Sequence, residues 1–256
     1  MDILHYLLIY IVVILGSVCQ GAISMGFGLI AAPILILINP DFVPAPMIMC
    51  GLTLSIFVLI KNKQYSDVSA LKFSLIGRFI GTFIAIGIIY HISKEIFSIV
   101  FGIIILLAVI ITRIKANWNL TPGKLFSAGI ISGIMATLTS IGSPPMGLLY
   151  QNQKGKIIRG TLSGFFTVGA AVSLISLGFV GKVTLLELKL YLTIFPALVI
   201  GFWFSKYTID FLDKGYIRPL ILFISSLSAL AVILKSILHY TWFNPPLWLF
   251  DIPSLY

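Results

Sequence analysis

Long apolar stretches alternate with short polar loops along the whole chain. The apolar runs fall at residues 6–38, 43–60, 73–90, 96–112, 125–150, 161–180, 190–204 and 217–234. Six of these eight have the length of a single membrane-spanning helix. The first and the fifth do not. Run 6–38 holds 33 residues. As one helix it would measure about 50 Å, against a hydrocarbon core of about 30 Å. It is also interrupted by Gly21, Gly26 and Gly28. Run 125–150 contains Gly129, Gly133, Gly142, Pro144 and Pro145. Two consecutive prolines cannot both lie in a regular helix interior. Each of these runs is therefore predicted to be two half-helices joined by a non-helical turn. The fold class expected is all-α, a polytopic membrane protein.

The basic loop residues test this reading. If both long runs cross the membrane once, Lys and Arg divide nine against seven between the two sides, which is no bias. If each long run enters and returns to the same side, the division changes. One side then collects twelve, namely Lys61, Lys63, Lys72, Arg113, Lys115, Lys124, Lys154, Lys156, Arg159, Lys206, Lys214 and Arg218. The other side keeps four, Lys94, Lys182, Lys189 and Lys235. Arg78 lies within a span and is left out of both counts. Twelve against four is a positive-inside signal, and it favours the hairpins. Both termini are then expected outside, with the first hairpin dipping in from outside and the second from the cytoplasm. The chain divides into two repeats, residues 1–115 and 116–240, each a hairpin followed by three helices and inserted in opposite senses. Residues 241–256, rich in aromatics and proline, are expected to form an interfacial tail on the outer face. Inverted repeats with broken helices near the midplane are a secondary-transporter architecture.

Composition sharpens the class. Hydrophobic residues make up 59% of the chain and charged residues 10%. A soluble domain carries roughly 25% charged residues, so the bilayer is the solvent expected. The formal net charge of +9 sits in small groups between apolar runs, as in cytoplasmic membrane loops, and nucleic-acid binding is not expected. Cys19 and Cys50 lie inside apolar runs without metal-ligand spacing, and read as small buried side chains. The first segment lacks the basic start of a signal peptide and is expected to be retained. All eight acidic residues fall outside the spans, and the histidines sit at span ends. A cation pump and intramembrane acid–base catalysis are therefore not expected, because both need a buried carboxylate or histidine. No cofactor and no metal site is expected.

What remains at depth is backbone and hydroxyl chemistry. The second half of a broken helix begins with unpaired N–H groups and partial positive charge. Two such ends meeting at the midplane would hold an anion without a charged side chain. The candidate substrate-binding residues are Ser24, Met25, Gly26, Phe27 and Gly28 in the first half, and Thr139, Ser140, Ile141, Gly142 and Ser143 in the second. Ser-x-Gly recurs at the same place in both. Pro144 and Pro145 suit the first turn of a half-helix. Glycines and serines at such positions also serve close helix packing. Candidate path or gate residues are Gln20, Thr53, Arg78, Arg159 and Thr161, with Ser55 and Thr167 as further polar groups at depth. Arg78 follows Lys72 by six positions, so snorkelling to the cytoplasmic surface is expected, with a substrate role as the alternative. Arg159 is either an ordinary inside charge or a cytoplasmic gate.

The segment GSVCQGAISMGFGLIAAP resembles the opening motif of the sulfite exporter TauE/SafE family. The segment SGIMATLTSIGSPPMGLLYQ, with KIIRGTLSGFF after it, resembles that family's second repeat. The resemblance covers residues ~5–235. It implies a transporter of sulfite, an organosulfonate or a related small anion, in a bacterial inner membrane, whose partners are that anion and the lipid bilayer. Here the glycine cluster is reduced to Gly-Phe-Gly and Gly-Ser-Pro-Pro, and Met25 and Phe27 add apolar bulk. The function expected is a secondary transporter working by alternating access. The alternatives are a membrane enzyme acting on a lipid phosphate, which would need a base the spans lack, and a non-transporting assembly protein.

Overall fold

The computed structural model describes residues 3–92, 94–114 and 119–209, and the positions 226, 227, 230, 231, 233 and 234. The predicted span 217–234 is thus described only at isolated positions, and the tail 241–256 lies outside the described residues. Among the described residues the fold is entirely helical. In chain order the helices are α1 (Ile3–Ile23), α2 (Phe27–Ile38), α3 (Ala45–Asn62), α4 (Val68–His91), α5 (Lys94–Arg113), α6 (Pro122–Thr139), α7 (Ser143–Tyr150), α8 (Gly155–Phe179) and α9 (Leu185–Ser205). Five segments are long and apolar enough to cross a membrane: Ile3–Ile23, Ala45–Tyr65, Leu71–His91, Gly155–Phe179 and Leu185–Ser205. The chain is a multi-pass membrane protein. Large apolar side chains such as Phe83 on α4, Ile110 on α5 and Trp203 on α9 are exposed on its outer surface, an arrangement suited to lipid rather than water.

Both long runs are broken, as the glycine and proline pattern predicts. The first break is Ser24–Gly26, between α1 and α2; the second is residues 140–142, between α6 and α7. Each break reverses the chain. Phe27 returns to lie against Gly16, where an added Cβ would come within 2.9 Å of the Phe27 ring. The Ser132 hydroxyl donates to the Gly142 carbonyl at 2.6 Å, across ten residues of sequence. A continuous helix would hold both pairs about 15 Å apart or more.

The breaks are where the sequence placed them, but four of the glycines read as interruptions lie inside helices, Gly28 in the first turn of α2 among them. Gly21 lies inside α1, and Gly129 and Gly133 inside α6. They are contact points between helices. A Cβ at Gly129 would strike the Ser74 carbonyl of α4, and one at Gly133 would meet the Gly81 backbone at 2.9 Å. Gly77 and Gly81 on α4 in turn face the backbone of Phe126 and Ile130. Two Gly-x-x-x-Gly stripes thus lock α4 onto α6 at backbone contact. Gly21 and Gly201 do the same between α1 and α9, against Ser205 and the Ile14 carbonyl.

Other boundaries follow from local chemistry. Pro122 sits in the first turn of α6, where its missing N–H is no loss. α9 opens with a capping box: Thr184 Oγ1 accepts from Leu186 N–H at 3.2 Å, and the Glu187 carboxylate accepts from Thr184 N–H at 2.7 Å. The main core joins α1, α2, α3 and α5 through Ile9, Val13, Leu35, Met47, Leu54, Phe101 and Ile105. A second cluster of Met146, Leu149, Tyr150, Leu162 and Phe165 seats α7 on α8. These two clusters hold the two breaks in place.

Candidate functional site

The two breaks share a backbone conformation. Ser24 has φ 59° and Ser140 has φ 63°, both left-handed. An L-residue adopts that conformation at a cost of about 1–2 kcal/mol, and a short polar side chain eases it by bonding locally. Each serine ends the helix before it. Ser24 N–H donates to the Gln20 carbonyl and Ser140 N–H to the Ala136 carbonyl, each at 2.8 Å. Their hydroxyls then reach across to another helix. Ser24 Oγ donates to the Arg159 carbonyl on α8 at 3.3 Å, and Ser140 Oγ to the Pro44 carbonyl at the head of α3 at 3.0 Å. The recurring Ser-x-Gly is therefore a device for reversing the chain and anchoring the reversal.

The first break carries a second left-handed residue, Gly26, at φ 106°. It turns the chain into α2, whose first intrahelical bond runs from Ile30 N–H to the Gly26 carbonyl at 3.1 Å. The amides of Phe27 and Gly28, in the first turn of α2, have no carbonyl one turn back in the helix to bond. Gly28 brings this end against the other break: a Cβ there would lie 2.5 Å from the Ser140 carbonyl. The second half differs. α7 starts at Ser143, and Pro144 and Pro145 follow it, so two of its first three residues have no N–H to offer.

Between the breaks lies a cavity of about 60 Å³. Gln20, Phe27 and Gly28 line it from the first half, and Ala136, Ser140, Gly142 and Ser143 from the second. Arg78 enters from α4, Met47, Ile48, Gly51 and Ser55 from α3, and Phe166 and Ala170 from α8. Of the expected substrate-binding residues, Phe27, Gly28, Ser140, Gly142 and Ser143 therefore face one space. Ser24, Met25, Gly26, Thr139 and Ile141 do not line it. Met25 packs beside Gly147, Ile141 is fully buried in the core, and Thr139 donates to the Met135 carbonyl at 2.7 Å. These five shape the breaks from behind.

The path and gate candidates divide as well. Gln20 and Arg78 line the cavity. Thr53 does not: it donates to the Met49 carbonyl at 3.0 Å and lies 2.8 Å from the Tyr191 hydroxyl. Thr161 Oγ1 accepts from Asp67 N–H at 2.9 Å. Arg159 Nη1 donates to the Ala22 carbonyl at 3.2 Å, at the C-terminal end of α1. A cation there complements the helix dipole. The expectation that Arg78 snorkels is overturned. The residue is 3% exposed, and its Nη1 donates to the Ser132 carbonyl at 2.7 Å and to Ser132 Oγ at 3.1 Å. The side chain turns inward to α6 because Gly142 and Gly169 leave room for a guanidinium on that side. The lining from α3 and α8 was not singled out in the sequence, apart from Ser55. Met47, Ile48, Phe166 and Ala170 look like any other core positions there.

No match was found among curated proteins or among solved structures. A family model, described as sulfite exporter TauE/SafE, matches residues 8–232. That match spans both breaks, the cavity between them and all of α2 to α9, and the chain belongs to the sulfite exporter TauE/SafE family.

Proposed function

We propose that the chain is a secondary transporter of a small anion, sulfite or a small organosulfonate, held in the cavity between the two helix breaks. One observation carries this reading: the start of α2 and the second break meet around a shared cavity, at Gly28 and Ser140. The family is one of exporters, which supports transport over catalysis. The volume supports a small substrate. About 60 Å³ accommodates four to six water-sized positions, which suits a sulfur with its three oxygens. The amides and dipole of α2 favour negative charge.

The repeat reading gains support from the packing. Exchanging the halves maps α1 onto α6, α3 onto α8 and α4 onto α9. α4 packs on α6 as α9 packs on α1, and α3 packs on α8. The two anchoring serine bonds, Ser24 to α8 and Ser140 to the head of α3, obey the same exchange. Alternating access would then be a rocking of one half against the other about the cavity. With hairpins inserted in opposite senses, both termini lie outside a bacterial inner membrane. Sulfite flux into proteoliposomes holding the purified chain tests the function. Flux above protein-free vesicles is expected, and equal flux with and without protein rejects the reading.

A further inference from the structure

Arg78 is the one Lys or Arg among the described residues that lies within a predicted span, and its surroundings are those of a charge awaiting a partner. It sits ten residues into α4, 3% exposed. Neither a carboxylate nor any other acidic group among the described residues pairs with it. Its bonds go to Ser132, a neutral residue, through Nη1 alone. Its Nε is buried without a hydrogen-bond partner. Among the described residues, the buried side-chain atoms lacking a partner belong to six residues, of which Arg78 and Ser55 line the cavity. An arginine stays charged in proteins. Burying one without a counter-charge costs several kcal/mol.

The location makes that cost worse. Nη1 lies 2.8 Å from where a Cβ of Gly142 would be, beside the N-cap of α7. A cation there meets the positive end of a helix dipole. Arg159, by contrast, lies at the negative end of α1. The fold has nevertheless made room for Arg78. Gly169 on α8 admits the guanidinium so closely that a Cβ would stand 2.5 Å from Nε and 3.0 Å from Cζ. The Phe165 ring lies 5.6 Å from Cζ, within cation–π range. A berth built from three elements for a charge that no protein group neutralises is accounted for by an anion in the adjoining cavity.

We propose that Arg78 is the counter-ion of the transported anion, with the Ser55 hydroxyl as a further donor. The prolines deprive the α7 end of two amides, and Arg78 supplies donors and charge in their place. The site is thereby asymmetric: backbone amides of α2 on one side, a guanidinium and the Ser143 end of α7 on the other. A planar fork beside the cavity favours oxyanions, whose oxygens can accept two bonds at once, over a spherical halide. This inference rests on the anion-transporter reading above.

Titration calorimetry with sodium sulfite on the purified full chain tests it, alongside flux. Arg78→Gln is expected to lose sulfite affinity by at least about tenfold, the scale of a hydrogen bond to a charged group. Arg78→Lys restores part of it. Ser55→Ala loses less, and Gly169→Ala weakens binding by displacing the guanidinium while keeping its charge. Lys156→Gln, an exposed charge outside the site, binds as wild type. Equal sulfite affinity in wild type and Arg78→Gln overturns the assignment and leaves transport standing. A wild type that neither binds nor carries sulfite or small sulfonates removes the transporter reading and this assignment together. Should Arg78→Gln fail to fold, wild-type labelling with phenylglyoxal, read residue by residue, decides. Sulfite is expected to protect Arg78 and not Arg113, and absence of protection overturns the proposal.

Discussion

At the scale of the residue, the fold depends on a few left-handed positions that the two serines and Gly26 supply. Gly26, at φ 106°, accepts no side chain without strain, although the nearest obstacle to a Cβ, Cys19, is 3.4 Å away. Gly26→Ala is therefore expected to destabilise through backbone strain, by about 1–2 kcal/mol. Gly51→Ala, where nothing lies within 4 Å of the new Cβ, is expected to be close to neutral for stability. Thermal unfolding of both variants in one detergent checks the contrast, and equal melting temperatures would contradict it. Gly28 is a different case. Its Cβ would meet a backbone carbonyl that has little room to move, so Gly28→Ala should push the two breaks apart. Sulfite flux in that variant is expected to fall more than its melting temperature would explain. The sequence marked Gly26 and Gly28 alike as ligand-site glycines, whereas one sets a backbone angle and the other a contact distance.

At the scale of the element, the most extensive helix–helix packing is between α4 and α6. Gly77, Gly81, Gly129 and Gly133 bring the two backbones together, and Arg78 extends from that seam toward the cavity. In a bilayer such close packing, rather than hydrophobic driving force, holds helices together. Gly81→Val is expected to separate α4 from α6 and to cost stability and transport together. Gly87→Val, further along α4 with open space around it, should cost neither. A detergent melting curve and a flux assay on the pair check this, and equal behaviour would show that the seam is not rigid. Reading Gly129 and Gly133 as interruptions failed for a physical reason. A glycine ends a helix only if no neighbour rewards the helical backbone, and α4 provides that neighbour. Snorkelling of Arg78 failed similarly, since distance from Lys72 along the chain says nothing about which face of α4 finds room.

At the scale of the whole molecule, the two reversals decide the topology. If both long runs return to the side they entered, Asp41 and Lys154 lie on opposite faces of the membrane. Both residues are exposed, so single cysteines at 41 and 154, with Cys19 and Cys50 replaced, should label from opposite sides with an impermeant thiol reagent. Labelling from one side would refute the opposed hairpins. The same symmetry would place the cavity between two halves able to rock.

The sequence by itself determined the membrane class, the helical fold and the sites of both breaks. Charge exclusion and helix-breaking residues act locally and are visible in one dimension: Ser24 to Gly28 and Ser140 to Pro145 could scarcely continue a helix. It also supplied half of the cavity, since Gly28 opens the helix after the first break and Gly142 lies in the second. Only the tertiary structure decided that α3 and α8 close the cavity with Ser55 and Phe166, that Ser24 and Ser140 anchor the breaks to α8 and to the head of α3, and that Arg78 turns inward. Those outcomes depend on which helix faces meet across more than fifty residues of chain. Which faces meet is set by the fit of glycines and side chains in three dimensions, and no local pattern encodes it.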